Sequence, residues 1–121
     1  MADEITLTFG LSMTKATAGQ VARSPDQQSV TMTGVHFVHK TQNIATSAEA
    51  LDIGDITTPG YCMFHNLDDT NYVEIGYDDS GFKPTVRLNA GEWGMFRCTQ
   101  AAPQAQANTA AVDLEYIILE A

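Results

Sequence analysis

From Gly60 to Thr99 short apolar-alternating runs give way to turn-forming clusters at a spacing that suits consecutive β-strands. The runs are Tyr61–Asn66, Asn71–Tyr77, Phe82–Leu88 and Glu92–Cys98. Between them lie Leu67-Asp68-Asp69-Thr70, Asp78-Asp79-Ser80-Gly81 and Asn89-Ala90-Gly91. Two of these turns end in Gly, the residue suited to a left-handed closing position. The same period of two recurs at both ends of the chain. Ile5, Leu7, Phe9, Leu11 and Met13 alternate with Thr6, Thr8, Gly10, Ser12 and Thr14, which predicts one long half-buried strand. Val112, Leu114, Tyr116 and Ile118 alternate with Asp113 and Glu115, which predicts a last strand over Ala110–Leu119.

The remaining segments are less regular. Ala16–Gln28 holds Gly19 and Pro25 and reads as a loop with a short strand around Val21. The apolar phase flips at Gly34, from Val30 and Met32 to Val35 and Phe37, which predicts a bulge or bend in a strand running toward Ile44. Thr46–Pro59 reads as a helical turn at Ser47–Ala50 or an irregular strand, and Gln100–Gln106 as a loop. With no internal repeat and no linker, the 121 residues are expected to form a single domain. About seven or eight short strands with turn signals at regular spacing argue for an all-β antiparallel sandwich or barrel.

Loop lengths turn these runs into a register. As a meander, Tyr77 faces Phe82, Val73 faces Val86 and Tyr72 faces Arg87. Phe64 then faces Val73, Cys62 faces Ile75 and His65 faces Tyr72. Across the last turn Pro84 faces Phe96, Phe82 faces Cys98 and Arg87 faces Trp93. One face gathers Cys62, Phe64, Val73, Ile75, Tyr77, Phe82, Val86, Phe96 and Cys98. Pro84 lacks an N–H and needs an edge or a bulge. Cys62 and Cys98 fall on outer strands of the set, too far apart for a disulfide, and are expected to be free and buried.

The opposite face carries the row His65, Tyr72, Arg87, Trp93, and beside it Met63, Glu74, Thr85, Met95. Trp, Tyr, Arg and Met are the types enriched at protein interfaces. Two readings stand: another layer of the same chain covers this face, or a partner subunit does. Ala2, Asp3 and Glu4 are expected to serve as an arm.

Charge and motif content exclude other classes. Fifteen acidic residues against six basic ones give a net charge of −9, and the cations are scattered, so phosphate-backbone binding is not expected. The N-terminus MADEITLTFG has no signal-peptide pattern and no apolar run is long enough for a membrane, so folding in the cytosol with reduced thiols is expected. His36 and His39 point to opposite faces of a strand, and no C-x-x-C exists, so no metal or other cofactor is expected. Asp68-Asp69 and Asp78-Asp79 do not match a Ca²⁺ loop and are ordinary turn chemistry. No G-x-S-x-G, phosphate-cradling loop or exposed thiol suggests an enzyme.

Asn66-Leu67-Asp68-Asp69-Thr70-Asn71-Tyr72-Val73-Glu74-Ile75-Gly76, Arg87-Leu88-Asn89-Ala90-Gly91-Glu92, Ala107-Asn108-Thr109-Ala110 and Leu114-Glu115-Tyr116 together resemble a pattern in small virion proteins of tailed bacteriophages. Within that group the chain looks like a capsid cement or decoration protein. The resemblance implies a non-enzymatic, single-domain antiparallel β-sandwich, jelly-roll-like and of about eight strands, on the capsid surface of the virion, made in the bacterial host cytoplasm. It would bind and stabilise the shell of the major capsid protein and associate with copies of itself as a dimer or trimer, with no nucleic acid and no membrane involved. A tail, neck or fibre-attachment component is the neighbouring reading. A carbohydrate-binding β-sandwich, with Trp93 and Tyr72 stacking on a sugar, is the reading from another class.

Overall fold

The computed structural model describes residues 3–98 and 102–121. Among the described residues there are twelve strands and no helix, and every strand pair is antiparallel. The strands form two compact units, one ending at Thr33 and one running from Gly34 to Ala121.

The N-terminal unit contains β1 (Ile5–Leu7), β2 (Leu11–Lys15), β3 (Gly19–Arg23) and β4 (Gln28–Val30), paired as β1-β4 and β2-β3. The long strand expected from Ile5 to Met13 is therefore two strands, broken at residues 8–10. Ile5 and Leu7 are buried, while Leu11 and Met13 are exposed although they continue the same alternation. A tight turn closes the β2-β3 hairpin: the Ala18 amide donates to the Lys15 carbonyl at 3.0 Å, and Gly19 takes φ +96°.

The larger unit contains β5 (Phe37–Ile44), β6 (Glu49–Ala50), β7 (Pro59–Asn66), β8 (Val73–Asp78), β9 (Phe82–Leu88), β10 (Trp93–Arg97), β11 (Gln104–Ala107) and β12 (Val112–Glu120). They form two four-stranded sheets with orders β10-β7-β12-β5 and β6-β11-β8-β9. This interleaved order across two sheets is that of an eight-stranded jelly roll. Ile44, Phe64, Val73, Ile75, Val112, Leu114, Tyr116 and Ile118 are almost fully buried in the core. Phe64 is its aromatic centre, with ring centroids 5.4 Å from Phe96 and 6.4 Å from Tyr116.

The strand positions expected from Tyr61 to Cys98 hold to within two residues, but the meander does not. β7 and β8 lie in different sheets, as do β9 and β10. Only the β8-β9 hairpin forms, and its register differs from the expected one: Asp78 faces Phe82, Glu74 faces Arg87 and Ile75 faces Val86. The turn accounts for the shift. Ser80 (φ +56°) and Gly81 (φ +118°) close a three-residue loop, and the Asp78 carboxylate accepts the Gly81 amide at 3.1 Å. Pro84 lies on the edge strand of its sheet, beside a bulge that leaves Thr85 unpaired, so its missing donor breaks no ladder. Gly76 permits the close approach there, since a Cβ on it would stand 1.9 Å from the Lys83 carbonyl oxygen.

Two crossovers replace the expected hairpins, and Asn66 is bonded to both. Its side-chain amide is buried and donates to the carbonyls of Asn71 at 2.9 Å and Leu88 at 3.1 Å, and its oxygen accepts the Asp68 amide at 3.0 Å. Its backbone accepts from Gly91 and donates to the Glu92 carbonyl, both at 3.0 Å. One side chain thus satisfies backbone groups of both chain reversals as they leave one sheet for the other. The segment read as a loop also differs: Gln104–Ala107 is β11, an interior strand. Its buried residues are Ala105 and Ala107, so it adds little of the bulky alternation that marks a strand in sequence. The helical-turn reading of Ser47–Ala50 gives way to the short strand β6.

The end of β12 is fixed by a carboxylate. Glu120 is 7 % exposed and accepts from the amides of Val35 at 2.9 Å, His36 at 3.2 Å and Thr57 at 2.9 Å, from the Thr57 hydroxyl at 3.1 Å, and pairs with His36 Nδ1 at 3.0 Å. Gly34 makes room for it, because a Cβ there would lie 2.4 Å from Glu120 Cγ. The Thr57 and Val35 amides hold the Glu120 carboxyl down from 4.5 to about 2. A depressed folded-state value stabilises the fold above pH 4.5 and the contribution is lost as pH falls toward 2. Thermal melts from pH 5 downward should show the midpoint falling across this window. Glu120→Gln should start lower and fall less steeply, the residual slope coming from Asp52, Asp68 and Glu115, whose carboxyls are also held down.

Candidate functional site: the outer face of the sheet β10-β7-β12-β5

The strands of this sheet turn one set of alternate residues into the core: Cys62, Phe64 and Asn66 on β7, and Leu114, Tyr116 and Ile118 on β12. The other set points outward, and the register aligns it in rows. Trp93, His65, Glu115 and Thr41 form one row, and Met95, Met63, Ile117 and His39 the next. Arg97 beside Tyr61 and Leu119 beside Phe37 follow. An outward sheet surface normally carries Thr, Lys and Glu; this one carries an apolar band with two large aromatics standing clear, Trp93 at 60 % and Phe37 at 67 % exposure.

The polar residues of the face are locked to one another. The His65 and Trp93 rings stack with centroids 3.9 Å apart and planes 7° apart. The Glu115 carboxylate lies between two imidazoles, 2.9 Å from His39 Nε2 and 3.6 Å from His65 Nδ1. The hydrogen bond with His39 is the main reason its carboxyl is held below the ordinary range. The Arg97 guanidinium sits over the Tyr61 ring, 4.5 Å from its centroid. These pairings restrict rotamers that would otherwise be frozen on association, so the face is preorganised for contact.

The contact row expected from sequence is divided. His65, Trp93, Met63 and Met95 share this face. Tyr72 and Arg87 are elsewhere: Arg87 is on β9, in the other sheet, with its guanidinium 3.9 Å from the Tyr72 ring centroid and 3.5 Å from Glu74. The expected Tyr72–Arg87 contact exists, but as a cation–π pair rather than a ladder pair, and it does not extend to Trp93. Tyr72 stacks with Arg87, and Trp93 stacks with His65. Asp3 and Glu4 are tied into the N-terminal unit, the Asp3 amide donating to Thr31 Oγ1 at 3.4 Å and Glu4 accepting the Met32 amide at 3.0 Å; Ala2 lies outside the described residues.

Sequence reasoning missed Phe37, Tyr61, Arg97, His39, Glu115, Ile117 and Leu119. A signal was present in the run Tyr116-Ile117-Ile118-Leu119, where apolar residues occupy both phases of a strand, the mark of a strand with two faces to cover. A second apolar surface, also missed, lies on the β2-β3 hairpin. All ten of its strand residues are exposed, and Leu11, Met13 and Val21 share one face by register.

Both cysteines are free and buried, as expected, but not far apart: their sulfurs are 3.3 Å from each other. Phe96 faces Cys62 across the β10-β7 pair, and the Cys98 amide donates to the Gly60 carbonyl at 2.8 Å, so the two side chains meet diagonally. Among the described residues no group of three His, Cys, Asp or Glu side chains is placed to hold a metal ion. No protein-family model, no curated protein and no solved structure matches this chain.

Proposed function

We propose that this chain is a structural subunit of a tailed-bacteriophage virion, a cement or decoration protein that binds the shell of the major capsid protein at the capsid surface. The carrying observation is the outward face of β10-β7-β12-β5, where Trp93, Met95, Met63, Ile117, Tyr61 and Phe37 stand on a rigid sheet. An aromatic- and Met-rich band braced by Arg and His is what a protein-binding surface requires. The jelly roll is an architecture that viral capsid domains use, though it serves lectins and cupins as well.

The β2-β3 hairpin supports the assembly reading. Two-stranded hairpins are marginal alone in water, and this one exposes its apolar side chains. Residues 5–25 carry Lys15 and Arg23 and no acid, whereas residues 34–121 carry twelve acids against four bases. A cationic, apolar hairpin against the acidic surface of a second copy gives association into dimers or trimers a physical basis. On a lattice, many modest contacts of this kind stiffen a shell by multivalency.

Co-sedimentation with empty heads of the cognate phage tests this reading. Wild-type protein should pellet with heads, and Trp93→Ala should bind roughly thirtyfold more weakly, equivalent to about 2 kcal/mol. Trp93 is mostly exposed, so its removal should leave the thermal midpoint nearly unchanged. Arg87→Ala, on the other sheet, should bind like wild type. Failure of wild-type protein to pellet removes the cement assignment. Closed rings of fixed size from purified protein favour the tail or neck reading instead.

A further inference from the structure

The geometry points to Cys62 and Cys98 as a thiol–disulfide exchange site, closed to an intramolecular disulfide by a low-molecular-weight disulfide oxidant. Their sulfurs lie 3.3 Å apart, 36 residues apart in sequence. Bond formation needs an approach of only about 1.3 Å to reach the disulfide length of about 2.0 Å. Cys98 follows the last residue of β10, an edge strand, and its amide still donates to the Gly60 carbonyl at 2.8 Å.

The two thiols are not equivalent. Cys62 is 2 % exposed and its sulfur is 3.3 Å from the Phe96 carbonyl oxygen. Cys98 is 8 % exposed and borders a cleft of about 210 Å³ that is also lined by Tyr77, Thr85, Arg97 and Pro103. A small disulfide therefore reaches Cys98 first. The hydrogen bond between the sulfurs favours ionisation at Cys98 and, with burial, keeps the proton on Cys62.

The exchange balances in two steps. The Cys98 thiolate attacks one sulfur of the oxidant, whose S–S bond breaks; half leaves as a thiolate that takes up a proton, and half stays on Cys98 as a mixed disulfide. Cys62 then loses its proton to solvent and attacks the Cys98 sulfur, expelling the second half as a thiol. Two cysteines lose two electrons and one small disulfide becomes two thiols. The product links the edge strand β10 to β7 beneath the outer face that bears Trp93 and Met95. This site does not depend on the proposed capsid function.

The test uses native full-length protein and bis-hydroxyethyl disulfide, a neutral probe that the acidic chain does not repel. Thiol titration after denaturation should fall from two to none, peptide mapping should find Cys62 joined to Cys98 within one chain, and the midpoint should rise by roughly 10 °C or more. Cys62→Ser should accumulate a stable adduct on Cys98, and Cys98→Ser should stay unmodified while folded. Two thiols persisting in treated wild type would overturn the proposal. So would a cross-link between chains, or Cys62 in Cys98→Ser reacting as fast as Cys98 does in Cys62→Ser.

Discussion

Phe64→Ala should destabilise the jelly-roll unit by about 4 kcal/mol, the largest effect expected of any single truncation in this protein. Phe64 is 0 % exposed and its ring packs against both Phe96 and Tyr116, from the two strands that flank β7. Deleting it removes the transfer free energy of a full aromatic ring and leaves a cavity that the two sheets cannot close without shifting toward each other. Urea unfolding should show a lower midpoint at unchanged slope, and the thermal midpoint should drop by roughly 15–30 °C. Phe96→Ala should cost clearly less, because Phe96 is only partly buried at the margin of the core. Equal losses from the two changes would contradict the placement of Phe64 at the centre.

Asn66→Ala should cost about 3 kcal/mol, although it deletes no hydrophobic surface. The side chain makes three hydrogen bonds to backbone groups of Asn71, Leu88 and Asp68, and it is 0 % exposed. Truncation leaves two carbonyls and an amide without partners at the place where the chain passes between sheets, and each orphan costs about 1 kcal/mol or more. Asn66→Asp should be no rescue, since it removes both donors and adds a buried charge. Denaturant titration gives the magnitude, and faster amide exchange at Asp68 would localise the damage. A loss below about 1 kcal/mol would mean that solvent takes over these groups and that the crossovers are held by something else.

Much of the strand content was legible because its signals are local. Tyr61–Asn66, Phe82–Leu88 and Val112 onward announce themselves by alternation, and Asp78-Asp79-Ser80-Gly81 by the left-handed positions it supplies. β11 was not legible, since Gln-Ala-Gln-Ala has weak strand propensity and its buried positions, Ala105 and Ala107, carry only small side chains. The candidate site was half legible. Met63, His65, Trp93 and Met95 were grouped correctly because β7 and β10 do present them on one side. Tyr72 and Arg87 were misplaced with them because an apolar-in, polar-out pattern is the same for a meander and for two sheets exchanging strands.

For most of the strands the sequence by itself determined that the segment extends and which of its faces is oily, since both follow from a side chain's relation to residues one and two positions away. Only the tertiary structure decided which strands are neighbours. β12 lies between β5 and β7, β11 is inserted beside β8, and Cys62 meets Cys98. Those pairings join residues tens of positions apart, and they are settled by which arrangement buries both oily faces at once while leaving Asn66 and Glu120 fully hydrogen-bonded. No local pattern encodes that competition, because its terms exist only when the whole unit is closed.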